Sequence, residues 1–300
     1  MSNRQTILVA GATGSIGGGA AVALAKRGAS VVLLGRKPET LEARANSIRV
    51  ALSEAQTKHS DVEVAALTVD FSDMESVTRA ANEALDRFPT IHGLVLSAVT
   101  LKQDGPNILP SGHELMFATN VIGPFLFTQL LLERMQQSDG LVLHVVAPYM
   151  HEEIDWDDLE SIKNHKAGVA FNRTKTCDRI IAGELARRYA GKISSVAFNP
   201  SFIIDKKDPE LKKRWPTGIM GAFWKVATIL VARPPRVAGE PIADLMLSSI
   251  DRSSINGALF KLNKRVKKPD KAMNDEASGR RLWEELARNT ELDAELWNPV

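Results

Sequence analysis

The segment that most constrains the fold is a short strand pattern that runs directly into a glycine-rich turn and an alanine-rich helix pattern. Residues 6–10 read TILVA, and residues 11–19 read GATGSIGGG. Glycines in such a turn let the main chain approach an anion closely, while the start of the helix presents free N–H groups and the positive end of its dipole. A turn that binds no ligand would read similarly, but glycines inside a helix would then only lower its stability. We therefore predict a dinucleotide site whose turn contacts are Gly11, Thr13, Gly14, Ser15, Ile16 and Gly17.

Strand and helix patterns alternate along the rest of the chain. Apolar runs predict strands at 30–34, 62–69, 94–98, 141–146, 194–198 and 258–262, and helical periodicity covers 15–26, 38–55, 73–88, 112–136, 172–189 and 237–249. Strands that are apolar on both faces, each followed by a helix, predict an α/β fold with a parallel sheet covered on both sides. We predict one domain over 1–300, with an irregular segment at 201–235 and a charged tail at 264–300 that ends in a helix at 280–289.

Composition and charge exclude several classes of protein. The 38 Lys and Arg residues against 36 Asp and Glu residues give a net charge of +2, which argues against nucleic-acid binding. The single cysteine, Cys177, excludes an internal disulfide and is expected in the core. The first strand pattern begins so early that we expect no signal peptide. The apolar stretch Thr217–Ala232 contains Lys225 and is too short to cross a bilayer. These features predict a cytoplasmic protein without a transmembrane segment.

The residues after the second strand indicate which dinucleotide binds. An NAD site usually has an acidic residue there, which holds the ribose hydroxyls. This chain has Arg36 and Lys37 instead, with no carboxylate before Glu39. A guanidinium can bind a 2′-phosphate through two charge-assisted hydrogen bonds, whereas an acid would repel it. The predicted cofactor is NADP(H).

Several motifs, in order and spacing, resemble the short-chain dehydrogenase/reductase family and most closely its retinol-dehydrogenase-like branch. They are the GxxGxxG variant at 11–17, LGR at 34–36, VDFSD at 69–73, FATNVIGPF at 117–125, IDWDDL at 154–159, ELARRY at 184–189, NP at 199–200 and RLWEEL at 281–286. The resemblance implies a doubly wound, Rossmann-type sheet of about seven strands. It also implies that Asp70 contacts adenine and that Pro200 and Ile203 border the nicotinamide, and we add Phe71 and Ala98 to the cofactor contacts.

The resemblance also implies a catalytic tetrad of Asn, Ser, Tyr and Lys, of which this chain keeps two members. Asn120 and Lys175 match, and Lys175 would also hold the nicotinamide ribose. Phe171 stands at the tyrosine position and Val146 at the serine position. Phenylalanine cannot give or take a proton, and general acid catalysis is worth about 10²–10⁴ in rate. Cofactor binding is thus expected to survive while the usual proton donor is missing.

Several ways around the missing donor stay open. The candidate donors are Tyr149, His151 and His144, which lie in or just after the fifth strand. Tyr149 or His151 could reach the nicotinamide from the loop, whereas His144 is expected to be buried in the strand. The substrate could instead need no enzyme acid. The pocket could also catalyse a non-redox reaction, as a cyclase, isomerase or lyase does, or it could bind the dinucleotide without turnover.

The irregular segment falls where the resemblance implies a substrate lid. Its large apolar side chains predict an apolar, medium-sized substrate, with a peripheral membrane or subunit contact as the alternative. These side chains are Trp215, Ile219, Met220, Phe223, Trp224 and Ile229. None of the six histidines has a zinc-helix spacing, so we predict no metal. Family members often pair through the helices that carry Asn120 and Lys175, so a homodimer is also expected.

Overall fold

The apolar runs form one sheet in the computed structural model, which describes residues 4–54, 62–101, 105–147, 152–204 and 232–290. Its strands are β1 (Thr6–Ala10), β2 (Ser30–Gly35), β3 (Val64–Thr68), β4 (Gly93–Leu96), β5 (Leu141–Val145), β6 (Ser194–Asn199), β7 (Leu259–Lys261) and β8 (Lys264–Arg265). The spatial order is β3-β2-β1-β4-β5-β6-β7-β8, and all neighbours are parallel except β7 and β8. The doubly wound parallel sheet is confirmed.

Within the described residues the sheet has eight strands rather than the predicted number of about seven. The extra strand, β8, has two residues, and both are charged and exposed. It turns back from β7 to pair with it in the antiparallel direction. A strand without an apolar run leaves no hydrophobic pattern in the sequence, so it could not be predicted from periodicity.

Helices cover both faces of the sheet. They are α1 (Ser15–Lys26), α2 (Pro38–Glu54), α3 (Met74–Arg87), α4 (Leu115–Gln136), α5 (Ala167–Arg188), α6 (Arg236–Leu247), α7 (Arg252–Ile255) and α8 (Glu276–Asn289). One hydrophobic cluster joins α3, α4, α5 and α8 to one face, and another joins α1, α2 and α6 to the opposite face. This arrangement leaves the carboxyl ends of the parallel strands as the edge where ligands bind in such folds.

The helix α4 differs from its prediction in two ways. It begins at Leu115 rather than at residue 112, and it contains a π-helical turn at Ala118–Ile122. It is also the one described helix that is long and apolar enough to cross a membrane by length and composition, which the sequence analysis overlooked. However, 83% of its most apolar window is buried inside the structure, as in the core helix of a globular protein.

The helix α8 turns the predicted charged tail into part of the core. It begins at Glu276, four residues before its predicted start, because the Asp275 carboxylate accepts a hydrogen bond from Ser278 N and caps the helix. Trp283 on α8 is fully buried, and its ring packs edge-on against Phe125 of α4 with centroids 5.0 Å apart. The helix also packs on α5.

The packing of α8 bears on the surface through which a homodimer was predicted to form. The predicted pairing uses the helices that carry Asn120 and Lys175, which are α4 and α5. Most residues of both helices are buried within the chain, partly under α8. Pairing through this face therefore lacks an exposed surface, and a homodimer stays a prediction without an assigned interface.

Candidate functional site

The glycine-rich turn after β1 has a shape that only glycine can adopt at two positions. Gly11 has φ of +75°, and a Cβ on it would lie 2.7 Å from Ala98 N. A Cβ on Gly17 would lie 2.4 Å from Gly11 O and 2.6 Å from Ser97 Oγ. The main chain of the turn therefore lies directly against the end of β4, which leaves its outer side open to a ligand.

The start of α1 is electrostatically suited to an anion. Its N-cap is Gly14, which has no side chain to cap the helix, and the first turn contains no acidic residue. Thr13 and Gly14 are exposed, whereas Ser15 and Ile16 are half-buried. A helix start with this composition keeps the positive end of its dipole available. The predicted turn residues therefore form a cradle that fits a dinucleotide diphosphate.

Two arginines flank this cradle, although the sequence indicated only one of them. Arg36 and Lys37 follow β2, as predicted, and both are exposed. Arg44 of α2 is half-buried and donates a hydrogen bond from Nη2 to Thr13 O at 3.4 Å. It also packs against Gly18, where a Cβ would lie 3.3 Å from the Arg44 Cζ. Because 31 residues separate Arg44 from Thr13, only the placement of α2 brings the second guanidinium to the turn.

Two predicted cofactor contacts, Asp70 and Phe71, follow β3 and have different surroundings. Asp70 is half-buried, and its Oδ1 accepts hydrogen bonds from Ser72 N at 2.9 Å and Ser72 Oγ at 2.7 Å. Phe71 is buried, and its ring packs edge-on against Phe127 with centroids 5.8 Å apart. The Phe71 side chain is therefore part of the core, so only its main chain can contact a cofactor, which narrows the predicted role of this residue.

Asn120 lies in the π-helical turn of α4, a distortion that often marks functional sites. Its Oδ1 accepts a hydrogen bond from Thr100 N at 2.7 Å. Its Nδ2 donates to Thr100 O at 3.0 Å and to Thr174 Oγ1 at 3.2 Å. The side chain is thus held between the loop after β4 and α5, one residue from Lys175.

Lys175 is held in a buried ion pair that the sequence analysis did not predict. Its Nζ lies 2.8 Å from Asp178 Oδ2 and 3.3 Å from Val145 O. Burial raises the pKa of the Asp178 carboxyl, while the Lys175 ammonium opposes that rise. The spacing of three residues places both groups on one side of α5, so helical geometry alone could have revealed the pair.

His144 and Lys175 line the same small cavity. The cavity has a volume of about 10 Å³, close to the room that one water molecule needs, and its lining residues are Ala10, Leu96, Ala98, Asn120, Pro124, His144, Lys175 and Asp178. His144 is 3% exposed, which confirms its predicted burial, and its Nε2 has no hydrogen-bond partner among the described residues. Burial, followed by the Lys175 charge, lowers the pKa of His144 to about 3. Its imidazole is therefore neutral at pH 7 and unsuited to act as a charged general acid.

Neither of the two positions predicted to replace tetrad members, 171 and 146, has a side chain that can donate a proton. Phe171 is half-buried on α5, one turn before Lys175, and its carbonyl accepts a hydrogen bond from Thr174 Oγ1 at 2.7 Å. Val146 is buried next to Ala197 of β6. Tyr149 and His151 lie outside the described residues, so their predicted role as donors stays a prediction. Cys177 is fully buried, which confirms its predicted place in the core.

The predicted nicotinamide border lies at the carboxyl end of β6. Pro200 is buried there, and Ile203 is half-buried and forms a parallel bridge with Arg233. The hydrogen bonds Ile204 N to Arg233 O and Arg233 N to Phe202 O tie these two segments together. The six lid side chains named above lie outside the described residues. Among the residues that are described, no group of three His, Cys, Asp or Glu side chains could hold a metal.

The sequence is similar to that of known short-chain dehydrogenases. A family model described as short chain dehydrogenase matches residues 5–153. The chain is 28% identical to retinol dehydrogenase 13 of Homo sapiens over 300 residues, which cover 97% of this chain and 86% of that protein. It is 26% identical to retinol dehydrogenase 14 of Homo sapiens over 289 residues, which cover 93% and 84%.

Solved structures show the same fold. A 3-oxoacyl (acyl-carrier-protein) reductase from Agrobacterium tumefaciens C58, solved with NADP bound, superposes with a TM-score of 0.64. The match covers 86% of this chain and 92% of that chain, at 20% sequence identity. A short-chain dehydrogenase from Shigella flexneri superposes with a TM-score of 0.63 over 89% of this chain and 94% of that chain, at 20% identity.

Proposed function

Because the chain belongs to the short-chain dehydrogenase/reductase family, in the branch of the retinol dehydrogenases, we propose that it is an NADP(H)-dependent oxidoreductase with an altered proton route. The observation that carries this proposal is the glycine turn. Its main chain at Gly11 and Gly17 leaves no room for side chains, and the helix behind it begins without an acid. When bound, the dinucleotide supplies or accepts a hydride.

The preference for NADP(H) is supported by the charges around the turn. Arg36 follows β2, and Arg44 reaches the turn from α2, where it bonds to Thr13 O. The residues immediately after β2 include no carboxylate that could hold the ribose hydroxyls of NAD(H). Two guanidiniums can bind a phosphate dianion through charge-assisted hydrogen bonds. We propose that they bind the 2′-phosphate together, and that Asp70 and Ala98 lie along the adenosine half.

The altered proton route follows from the groups around Lys175. Phe171 and Val146 have no proton to give, and the low pKa of His144 keeps its imidazole neutral. Asp178 balances the charge of the Lys175 ammonium, and Asn120 is held by Thr100 and Thr174. We propose that Lys175 still binds the nicotinamide ribose and that the proton comes from Tyr149, His151 or solvent.

The remaining parts of the proposal concern substrate and location. The large side chains between residues 202 and 235 favour an apolar, medium-sized substrate. The balance of charges and the single buried cysteine favour a cytoplasmic location.

Fluorescence titrations with NADPH and NADH test the cofactor first. We expect tighter binding of NADPH, and we expect Arg36→Ala and Arg44→Ala each to weaken NADPH binding by about 10- to 100-fold, since hydrogen bonds to charged groups contribute about 1.5–3 kcal/mol. Binding of NADH should change far less. The matched control is Arg79→Ala, which removes an exposed arginine on α3. Equal losses for both dinucleotides would contradict the assignment of the 2′-phosphate site.

Turnover is tested with a panel of apolar ketones and aldehydes. We expect a substrate-dependent loss of NADPH absorbance that disappears on Lys175→Met. Product formed without net NADPH consumption would instead identify a non-redox catalyst. NADPH binding without any product would identify a dinucleotide-binding protein.

A further inference from the structure

A second cavity, larger than the one at His144, lies beside the predicted catalytic centre. Its volume of about 460 Å³ falls among small-molecule sites. It lies between the carboxyl ends of β5, β6 and β7 and the segment that follows β8. Val146, at the serine position, lines it, whereas none of the residues predicted to contact the dinucleotide does. The cavity is thus adjacent to the catalytic centre but separate from the cofactor cradle.

The walls of this cavity carry an excess of positive charge. The basic side chains are Arg179, Lys261, Lys268 and Lys271. The one acidic side chain, Asp270, is already engaged: its Oδ2 lies 3.5 Å from Arg179 Nη1, and its Oδ1 accepts a hydrogen bond from Met273 N at 3.1 Å. Lys268 and Lys271 are exposed and form no ion pair within the described part of the chain. An anion in the cavity would therefore meet the Lys268 and Lys271 ammonium groups, which pair with no carboxylate of the described residues.

The rest of the cavity wall is mostly apolar: it includes Val146, Leu259 and Val266, together with the polar side chain of Asn199. A small inorganic anion would leave these side chains facing water, and an uncharged apolar molecule would leave the lysines without a counter-charge. A ligand that satisfies both kinds of wall has one acidic group on an apolar skeleton.

We propose that this cavity binds the carboxylate of an organic acid whose apolar skeleton contacts Val146, Leu259 and Val266. Lys268 and Lys271 attract the carboxylate, and the apolar side chains hold the skeleton beside the catalytic centre. The identification of this acid as the substrate rests on the proposed function, whereas its binding does not. The apolar substrate predicted from the sequence thereby becomes an amphipathic one.

Isothermal titration of the full chain with decanoate tests the proposal, and decanol serves as the uncharged comparison. We expect decanoate to bind at least about tenfold more tightly than decanol, and its affinity to fall as salt screens the lysines. The double variant Lys268→Gln with Lys271→Gln should weaken decanoate binding by about 2- to 10-fold, as expected for two partly exposed charge pairs. NADPH binding, measured in parallel, should stay unchanged because the two sites share no residue.

The matched control is Lys264→Gln with Lys267→Gln, which removes two exposed lysines, one in β8 and one just after it, that do not line the cavity. This variant should leave decanoate affinity unchanged, and thermal unfolding of both double variants should match that of the parent protein. Equal affinities for decanoate and decanol, equal effects of the two double variants, or displacement of NADPH by decanoate would each overturn the proposal. Absent NADPH binding would instead refute the proposed function and leave the decanoate result standing.

Discussion

Acid should weaken this fold through one buried histidine, His144 of β5. The side chain is 3% exposed and lines a small cavity together with Lys175. Burial, and then the Lys175 charge, lower the pKa of His144 from 6.5 to about 3. The unfolded chain therefore takes up this proton near pH 6.5, but the folded protein takes it up only near pH 3. Because the folded pKa is the lower one, stability falls as the pH drops through this window.

The size of the effect follows from the pKa difference. Each pKa unit corresponds to about 1.4 kcal/mol, so complete protonation of His144 removes roughly 5 kcal/mol from the free energy of unfolding. At about pH 4.5, two units below the ordinary value, the loss is about 3 kcal/mol. This is a large part of the stability of a typical domain, which is about 5–15 kcal/mol.

Urea unfolding of the parent protein and of His144→Leu measures this loss. At about pH 7.5 we expect the two free energies of unfolding to differ by less than about 1.5 kcal/mol, since the volumes are similar. At about pH 4.5 the parent protein should have lost about 3 kcal/mol more than the variant. His92, whose pKa is also lowered by burial and by Arg252, is present in both proteins and cancels in the difference. If the two pH profiles run parallel, the assigned role of His144 is wrong.

Three further predictions concern the core, the turn and the catalytic centre. Trp283→Ala should lower the free energy of unfolding by about 3–5 kcal/mol, because the ring is fully buried. A clearly smaller loss in urea unfolding would show that α8 does not cover the core. Gly17→Ala should weaken NADPH binding by at least about tenfold, since its Cβ would lie 2.4 Å from Gly11 O, and unchanged fluorescence titrations would contradict this geometry. Phe171→Tyr combined with Val146→Ser should raise the rate of ketone reduction by about 10²-fold or more. If NADPH absorbance assays show no gain in rate, Lys175 does not assist a tyrosine at position 171.

The dinucleotide cradle could be predicted from the sequence because its strand, turn and helix start are consecutive residues. The close approach of Ala98 and Ser97, which also requires glycine at positions 11 and 17, is a tertiary contact that the local sequence does not show. Arg36 follows the second strand within the same βαβ unit. The alternation of apolar strands with helices likewise fixes the layering of the fold, since each strand must be covered on both faces.

The catalytic centre was predicted only in part. The absence of hydroxyls at residues 171 and 146 is visible in the sequence once the family's positions are assigned. The Lys175–Asp178 ion pair could also have been predicted from the sequence, because side chains three residues apart on a helix lie close together. The lowered pKa of His144 could not be predicted from the sequence, because it depends on burial in the sheet and on the charge of a lysine from another element.

The sequence by itself determined the βαβ unit, and it carries the predictions of the cofactor class and of a missing proton donor, because these depend on neighbouring residues or on fixed motif positions. Only the tertiary structure decided that Arg44 reaches the turn, that α8 covers the helices expected to pair, and that lysines after β8 surround a cavity beside Val146. Each of these contacts joins segments far apart in the chain. Their meeting depends on how whole helices and strands pack, which no local pattern of residues specifies.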